Sequence, residues 1–304
     1  MSNHEAIATG FIPPQVRARL KDLRLTSRRA VGLQGIGLHQ SRSRGAGLEF
    51  AQYRAYEPGD ELRQVDWKLY ARSDRFFVRE AERESPLAVW LLVDATASMT
   101  QEDAARPGWS RLEAAKALCA CVAELALRQG DRFGLMALHG DGLRMLAPGN
   151  GPRQRDRLLL ELHALSARGE WPSGERLRPA WERIGAGDLV VLLSDWFDEG
   201  AIALAERLAS ARREVLAIQV LTAEERDFPF RGGHRFHDQE TGEELLGDGA
   251  ALRGEFVARF SAARHALDAR MHACGIRHAE FVLDQELDLP LRRLFGARDA
   301  AEYA

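Results

Sequence analysis

Cysteine is scarce in this sequence, with 3 in 304 residues, at Cys119, Cys121 and Cys274. An odd, sparse set without metal-ligand spacing excludes a disulfide framework and a thiolate zinc site, and it fits a reducing compartment. Cys119 and Cys121 stand two apart in a helical pattern, so they point in different directions and read as core thiols. Long apolar runs are lacking too. None reaches the roughly 20 residues of a membrane span, and the N-terminus has no apolar signal segment, so the sequence predicts a cytoplasmic protein. Catalytic signatures are equally thin: there is no His-Glu-x-x-His and no nucleophile elbow. Gly35, Gly37, Gly45 and Gly47 mimic a phosphate loop in spacing only, since no strand precedes them and no Gly-Lys-Ser/Thr follows.

What is present is enough apolar material for a full core, 45% of the residues, at a net charge of only -3. Basic residues are mildly in excess over residues 1–85, and acidic ones over the remainder. That balance suits a partner surface better than a nucleic-acid groove.

The chain is organised around AVWLLVDATASMT, residues 88–100. Its apolar run suits a strand buried on both faces of a parallel sheet, and it ends abruptly in Asp94, Thr96 and Ser98. Oxygen groups at alternate positions of a tight loop are what a hard cation such as Mg2+ needs. The competing reading is that Thr96 and Ser98 only cap a following helix. A second apolar run, DLVVLLSDWFDEG, repeats the design and ends in Ser194, Asp195 and Asp198. If both runs are parallel neighbours, Asp94 and Asp195 reach one sheet edge together.

The rest of the chain alternates strand and helix patterns, which predicts an α/β fold with a doubly wound, mostly parallel sheet. Helices are expected over 109–130 with Gly130 as a stop, over 152–165, 201–213 and 251–275, and a short one over 288–298. Further strands are expected over 131–138, 142–147, 214–222 and 275–284, with a small hairpin insertion near 234–247. Residues 1–34 read as a basic helical lead, with Val16, Leu20 and Leu23 at helical spacing. Residues 35–85 follow, and residues 86–295 form the main domain.

Segment 35–85 is the most unusual. Its glycines flank Arg42 and Arg44, and Pro58-Gly59 signals a turn. Arg54, Asp60, Arg63 and Asp66 are expected to pair with one another and lock the segment down, or else to meet a partner. This block resembles the signature of the bacterial domain-of-unknown-function family numbered 58, through Arg54, Tyr56, Pro58, Gly59, Asp60, Arg63, Asp66, Trp67, Ala71 and Arg72. The resemblance implies a von Willebrand factor A-like fold beyond the block and an association with MoxR-type AAA+ ATPases. In A domains that bind metal, a threonine from a separate loop completes a metal-ion-dependent adhesion site. The matching stretch here is Ser173-Gly174-Glu175-Arg176-Leu177, so Glu175 replaces that threonine. It acts either as a third carboxylate or as a group neutralised by Arg176.

The expectation is a non-enzymatic interaction module with a degenerate metal site of Asp94, Thr96, Ser98 and Asp195. Its expected partners are a MoxR-type ATPase and a client protein, with neither nucleic acid nor a membrane span, and Mg2+ is the candidate cofactor. The alternative is a hydrolase whose metal at Asp94 and Asp195 activates water, against which stands the lack of any His in either acidic loop.

Overall fold

The computed structural model describes residues 10–27, 50–56, 65–81, 86–172, 174–237 and 244–296. They fall into two compact units, one formed by the chain up to Thr26 and from Leu87 onward, the other by Ser27–Pro86. The basic lead expected over 1–34 therefore divides. Its helix α1 (Pro14–Arg19) groups with the larger unit, where Ile12, Val16, Leu20, Leu23 and Leu25 join the core. Arg128 Nη1 donates to the Leu20 carbonyl at 2.8 Å, and the Leu25 N–H donates to the Gln129 side chain at 2.7 Å.

The smaller unit pairs β1 (Phe50–Ala55) antiparallel to a second strand across a short helix. That helix, α2 (Trp67–Ser73), begins at Asp66, whose carboxylate accepts from the backbone N–H groups of Lys68 and Leu69 at 2.9 and 3.0 Å. The expected role of Asp66 is thus at least partly local: it satisfies two of the donors a helix start leaves open. The strand β2 (Phe77–Ala81) follows, and Val65 and Val78 are buried where they bridge. Tyr70 stacks on Phe76 with ring centroids 4.4 Å apart, and Tyr56 and Trp67 pack around the same ring. Arg54 lies in β1 opposite Val78, and Arg72 is exposed on α2. Arg42, Arg44, Asp60 and Arg63 lie outside the described residues, as does Ser173.

In the larger unit β3 (Ala88–Asp94) leads into α3 (Arg111–Gln129). Ser110 caps this helix by accepting from the Glu113 N–H at 3.2 Å, and Gly130 ends it at φ 78, a conformation that glycine adopts without strain. The hairpin β4 (Arg132–His139) and β5 (Gly142–Gly149) comes next. It is followed by α4 (Gly151–His163), α5 (Arg178–Arg183) and β6 (Leu189–Ser194). Then come α6 (Glu199–Ser210), β7 (Glu214–Leu221) and the short α7 (Ala223–Asp227). The inserted hairpin is β8 (Gly233–His237) with β9 (Glu244–Asp248), and α8 (Gly249–Ala273), β10 (Arg277–Val282) and α9 (Leu289–Phe295) close the chain.

The sheet order is β10-β7-β6-β3-β4-β5. All neighbours run parallel except the edge strand β5, which pairs antiparallel to β4. This is the doubly wound α/β arrangement that the alternating pattern predicts. Period-2 alternation divides the sheet's side chains between two cores. Val89, Leu91 and Val93 face α3, whereas Trp90 and Leu92 face the layer containing α6. Cys119 and Cys121 are fully buried in the α3 core, and burial pushes both thiols well above their usual range.

Candidate functional site at the carboxyl edge of the sheet

Strands β3 and β6 are parallel neighbours, with Val93 opposite Leu193. After β3 the chain goes to β4 on one side, and after β6 it goes to β7 on the other. The crevice between their carboxyl ends is the switch point of the sheet, where ligands of open α/β folds collect. Asp94 and Ser194 end these two strands, and Asp195 follows directly.

Asp94 is 1% exposed, and both of its oxygens are engaged. Oδ1 accepts from the Thr96 N–H at 2.9 Å and from the Thr96 hydroxyl at 2.7 Å, and Oδ2 accepts from the Ser194 hydroxyl at 2.6 Å. Because Thr96 gives its proton to Asp94, the 3.1 Å contact between the Thr96 and Ser98 hydroxyls must have Ser98 as donor. The Ser194 oxygen in turn accepts from the Trp196 N–H at 3.0 Å, with Trp196 held at a positive φ of 64. Desolvation, and then repulsion from Asp195, push the Asp94 carboxyl up to about 6, while the bonds from Ser194 and Thr96 pull the other way.

Asp195 is equally buried, and its partner is Arg111, the first residue of α3. Arg111 Nη1 donates to Asp195 Oδ2 at 2.8 Å and to the Ser98 carbonyl at 3.0 Å, and Nη2 donates to Glu225 Oε1. The second oxygen of Glu225 closes a capping box with Thr222 at the start of α7. Asp195 Oδ1 accepts from the Phe197 N–H at 3.2 Å, and the Asp195 carbonyl accepts from Gln219 on β7 at 3.0 Å. Asp103, also buried, binds the loops after β3 and β7 together by accepting from the Ala223 N–H at 2.7 Å. A guanidinium suits this junction because its planar fork donates in several fixed directions at once.

The structure brings Asp94, Thr96, Ser98 and Asp195 to one place, as the sequence predicts, but it does not bring Glu175 with them as a third carboxylate. Glu175 is exposed on the loop before α5. Arg176 donates to the Gly140 carbonyl. Among the described residues no three His, Cys, Asp or Glu side chains are grouped to hold a metal ion. Asp198 is a plain cap for α6, accepting from the Gly200 N–H at 2.6 Å. The residues that sequence reasoning missed are Arg111, Glu225, Gln219 and the acceptor role of Asp94 toward Ser194. One local signal pointed to Arg111: a cation at the first position of a helix opposes the macrodipole, at a cost of about 0.3–1 kcal/mol.

Mg2+ is the cation expected for this donor set. That ion requires near-octahedral oxygen ligands at about 2.0–2.1 Å with lone pairs directed at it. Here protons from Thr96 and Ser194 already face the Asp94 oxygens, and Arg111 places a positive charge on Asp195. As arranged, the residues do not fit a divalent ion.

Other proteins have sequences similar to this one. An uncharacterized protein of Mycobacterium tuberculosis, Rv1480, is 31% identical over 276 residues, which span 86% of this chain and 83% of the relative. Mb1516 of Mycobacterium bovis matches to the same extent. Among solved structures, the SpRpn10 VWA domain is similar with a TM-score of 0.43 and 17% identity, over 70% of this chain and 98% of that one. BatB from Bacteroides thetaiotaomicron is similar with a TM-score of 0.37 and 16% identity, over 62% and 98%. Residues 52–266 match the family described as protein of unknown function DUF58, and on that match and the 31% identity the chain belongs to that family.

Proposed function

We propose that this chain is a non-enzymatic protein-interaction module of the von Willebrand factor A type. It meets its partner across the carboxyl edge of the sheet, and it works in the cytoplasm with a MoxR-type AAA+ ATPase in the assembly or maturation of a client protein. One observation carries the reading. Beside the buried charges stands Phe197, 54% exposed, over whose ring the Arg111 guanidinium carbon lies 5.3 Å from the centroid. Large apolar side chains presented next to satisfied polar groups are typical of the centre of a docking surface. A groove of about 360 Å³ continues from Phe197 along Ile202, Phe260 and Leu267.

The hydrolase alternative needs a base with a lone pair free to take a proton from water. Three of the four acceptor sites of Asp94 are filled by the chain itself and the group is 1% exposed, while Asp195 is held by Arg111 and Phe197, which weighs against either acid as that base. The test is to co-express the tagged chain with a MoxR-type ATPase and purify the two with and without ATP. Co-purification with wild type that Phe197→Asp abolishes is the expected result. No complex with wild type would remove the ATPase from the reading. Metal-dependent phosphoester turnover that disappears in Asp94→Asn would put the hydrolase in its place.

A further inference from the structure

We infer that Arg111 is the resident cation of the sheet's carboxyl edge: its guanidinium takes the place of a divalent ion beside the Asp94–Asp195 pair, and the site works without metal. Two acids are brought to the crevice by strands that are neighbours, with the Thr96 hydroxyl on Asp94 and the Ser98 hydroxyl on Thr96, which is the oxygen-rich setting a hard cation requires. A cation is indeed there, but the chain supplies it. Arg111 is 3% exposed, and it reaches Asp195 and the Ser98 carbonyl with one nitrogen and Glu225 with another.

Three features show that this arrangement is built into the fold. The guanidinium comes from the first residue of α3, a central and largely buried helix, so its position is fixed by the core. The acid on its far side, Glu225, is held in turn by the Thr222 N–H and hydroxyl, at 2.9 and 3.0 Å. Glu225 thereby fills, from within the chain, the position of an acidic ligand to the cation. Finally, a divalent ion placed against Asp195 would lie next to a buried positive charge that water does not screen. The inference concerns the ion alone and holds whichever partner meets this edge.

The test uses the full chain and Mn2+ as the probe, with bound ion measured by the loss of its free paramagnetic signal and with melting followed in parallel. Wild type and Asp94→Asn are expected to behave alike, with no site at millimolar Mn2+ and no Mn2+-dependent rise in melting temperature. Arg111→Ser removes the guanidinium from Asp195 and leaves two buried carboxylates without a cation, with the Thr96 and Ser98 hydroxyls able to turn their lone pairs towards an ion, so it should gain a site binding Mn2+ at least about tenfold more tightly than wild type. Its melting temperature should then rise with Mn2+, because only the folded chain assembles the site. Adding Asp94→Asn to Arg111→Ser should abolish both effects. Wild-type binding of Mn2+ that Asp94→Asn removes overturns the inference, and this comparison requires no Arg111 variant to fold. A folded Arg111→Ser that binds no Mn2+ overturns it as well, by reducing Arg111 to a structural tie.

Discussion

Arg111 and Asp195 meet across 84 residues of sequence, 2.8 Å apart from nitrogen to oxygen, and each side chain is at most 4% exposed. A buried pair of this kind adds little net stability over an apolar pair, because both ions lose their hydration. Breaking it from one side is another matter, since the remaining charge stays buried and unpaired.

The first prediction follows. Arg111→Ala should lower unfolding free energy by about 3–5 kcal/mol, the usual cost of orphaning a buried charge. Arg111→Lys should recover only part of this, since an ammonium keeps the charge but cannot reproduce the planar fork. Urea denaturation of the two variants and of Asp195→Asn measures it. Equal stability of Arg111→Lys and wild type would mean that charge alone matters and the three-way geometry does not.

The second prediction concerns pH. Asp94 ionises at about 6 in the folded chain against 3.8 for an ordinary aspartate, chiefly because burial disfavours the charged form. The folded state therefore holds a proton that the unfolded state has released between these values. Its contribution to stability is fully present below about pH 3.8 and is lost as pH rises through about 6. By linkage the loss is roughly 3 kcal/mol. Asn at this position cannot titrate, so the stability of wild type minus that of Asp94→Asn should fall over this window and level off above it. Chemical denaturation of both proteins from pH 4 to 8 gives the difference directly. A constant difference would show that Asp94 does not change ionisation on folding in that range.

The sequence announced the framework through local pattern. The apolar runs at 88–94, 189–194 and 214–221 are parallel strands of one sheet, and Gly130 stops the helix it was expected to stop. Asp94 and Asp195 could be placed on one edge because strand polarity alone decides at which end they fall. Arg111 could not be assigned in this way. Its partners Asp195 and Glu225 lie 84 and 114 residues away, and no periodicity encodes which loop an arginine will reach. Glu175 was placed by the resemblance to a motif, yet its loop leaves it exposed. For the lead segment, the spacing of Val16, Leu20 and Leu23 was legible, but the spacing does not say what that stripe packs on. The structure packs it in the α3 core.

That placement gives the third prediction. Leu20 is fully buried, and its carbonyl accepts from Arg128 at the end of α3. Leu20→Ala should cost about 2–5 kcal/mol through lost burial and the cavity left behind. Arg19, half exposed, holds the buried Asp288 at 2.6 Å, so Arg19→Ala should add to the loss. A melting curve unchanged by Leu20→Ala would mean that the lead is a detachable arm.

The last prediction uses the cysteines as reporters of that same core. Cys274 is exposed at the end of α8, whereas Cys119 and Cys121 are fully buried within α3. A thiol reacts as its thiolate, and burial disfavours the thiolate in these two, so neither access nor ionisation favours attack on the native chain. One thiol should therefore react quickly with an aromatic disulfide reagent under native conditions, and Cys274→Ser should remove that phase. The two remaining thiols should react only as the α3 core opens, at a rate that tracks global unfolding when reclosing is fast. Because Leu20 packs in the core that holds them, Leu20→Ala should speed the slow phase by the same factor by which it lowers the folding equilibrium. Three thiols reacting at one rate in the wild type would contradict the burial of α3. A slow phase untouched by Leu20→Ala would instead separate the lead segment from the opening of that helix.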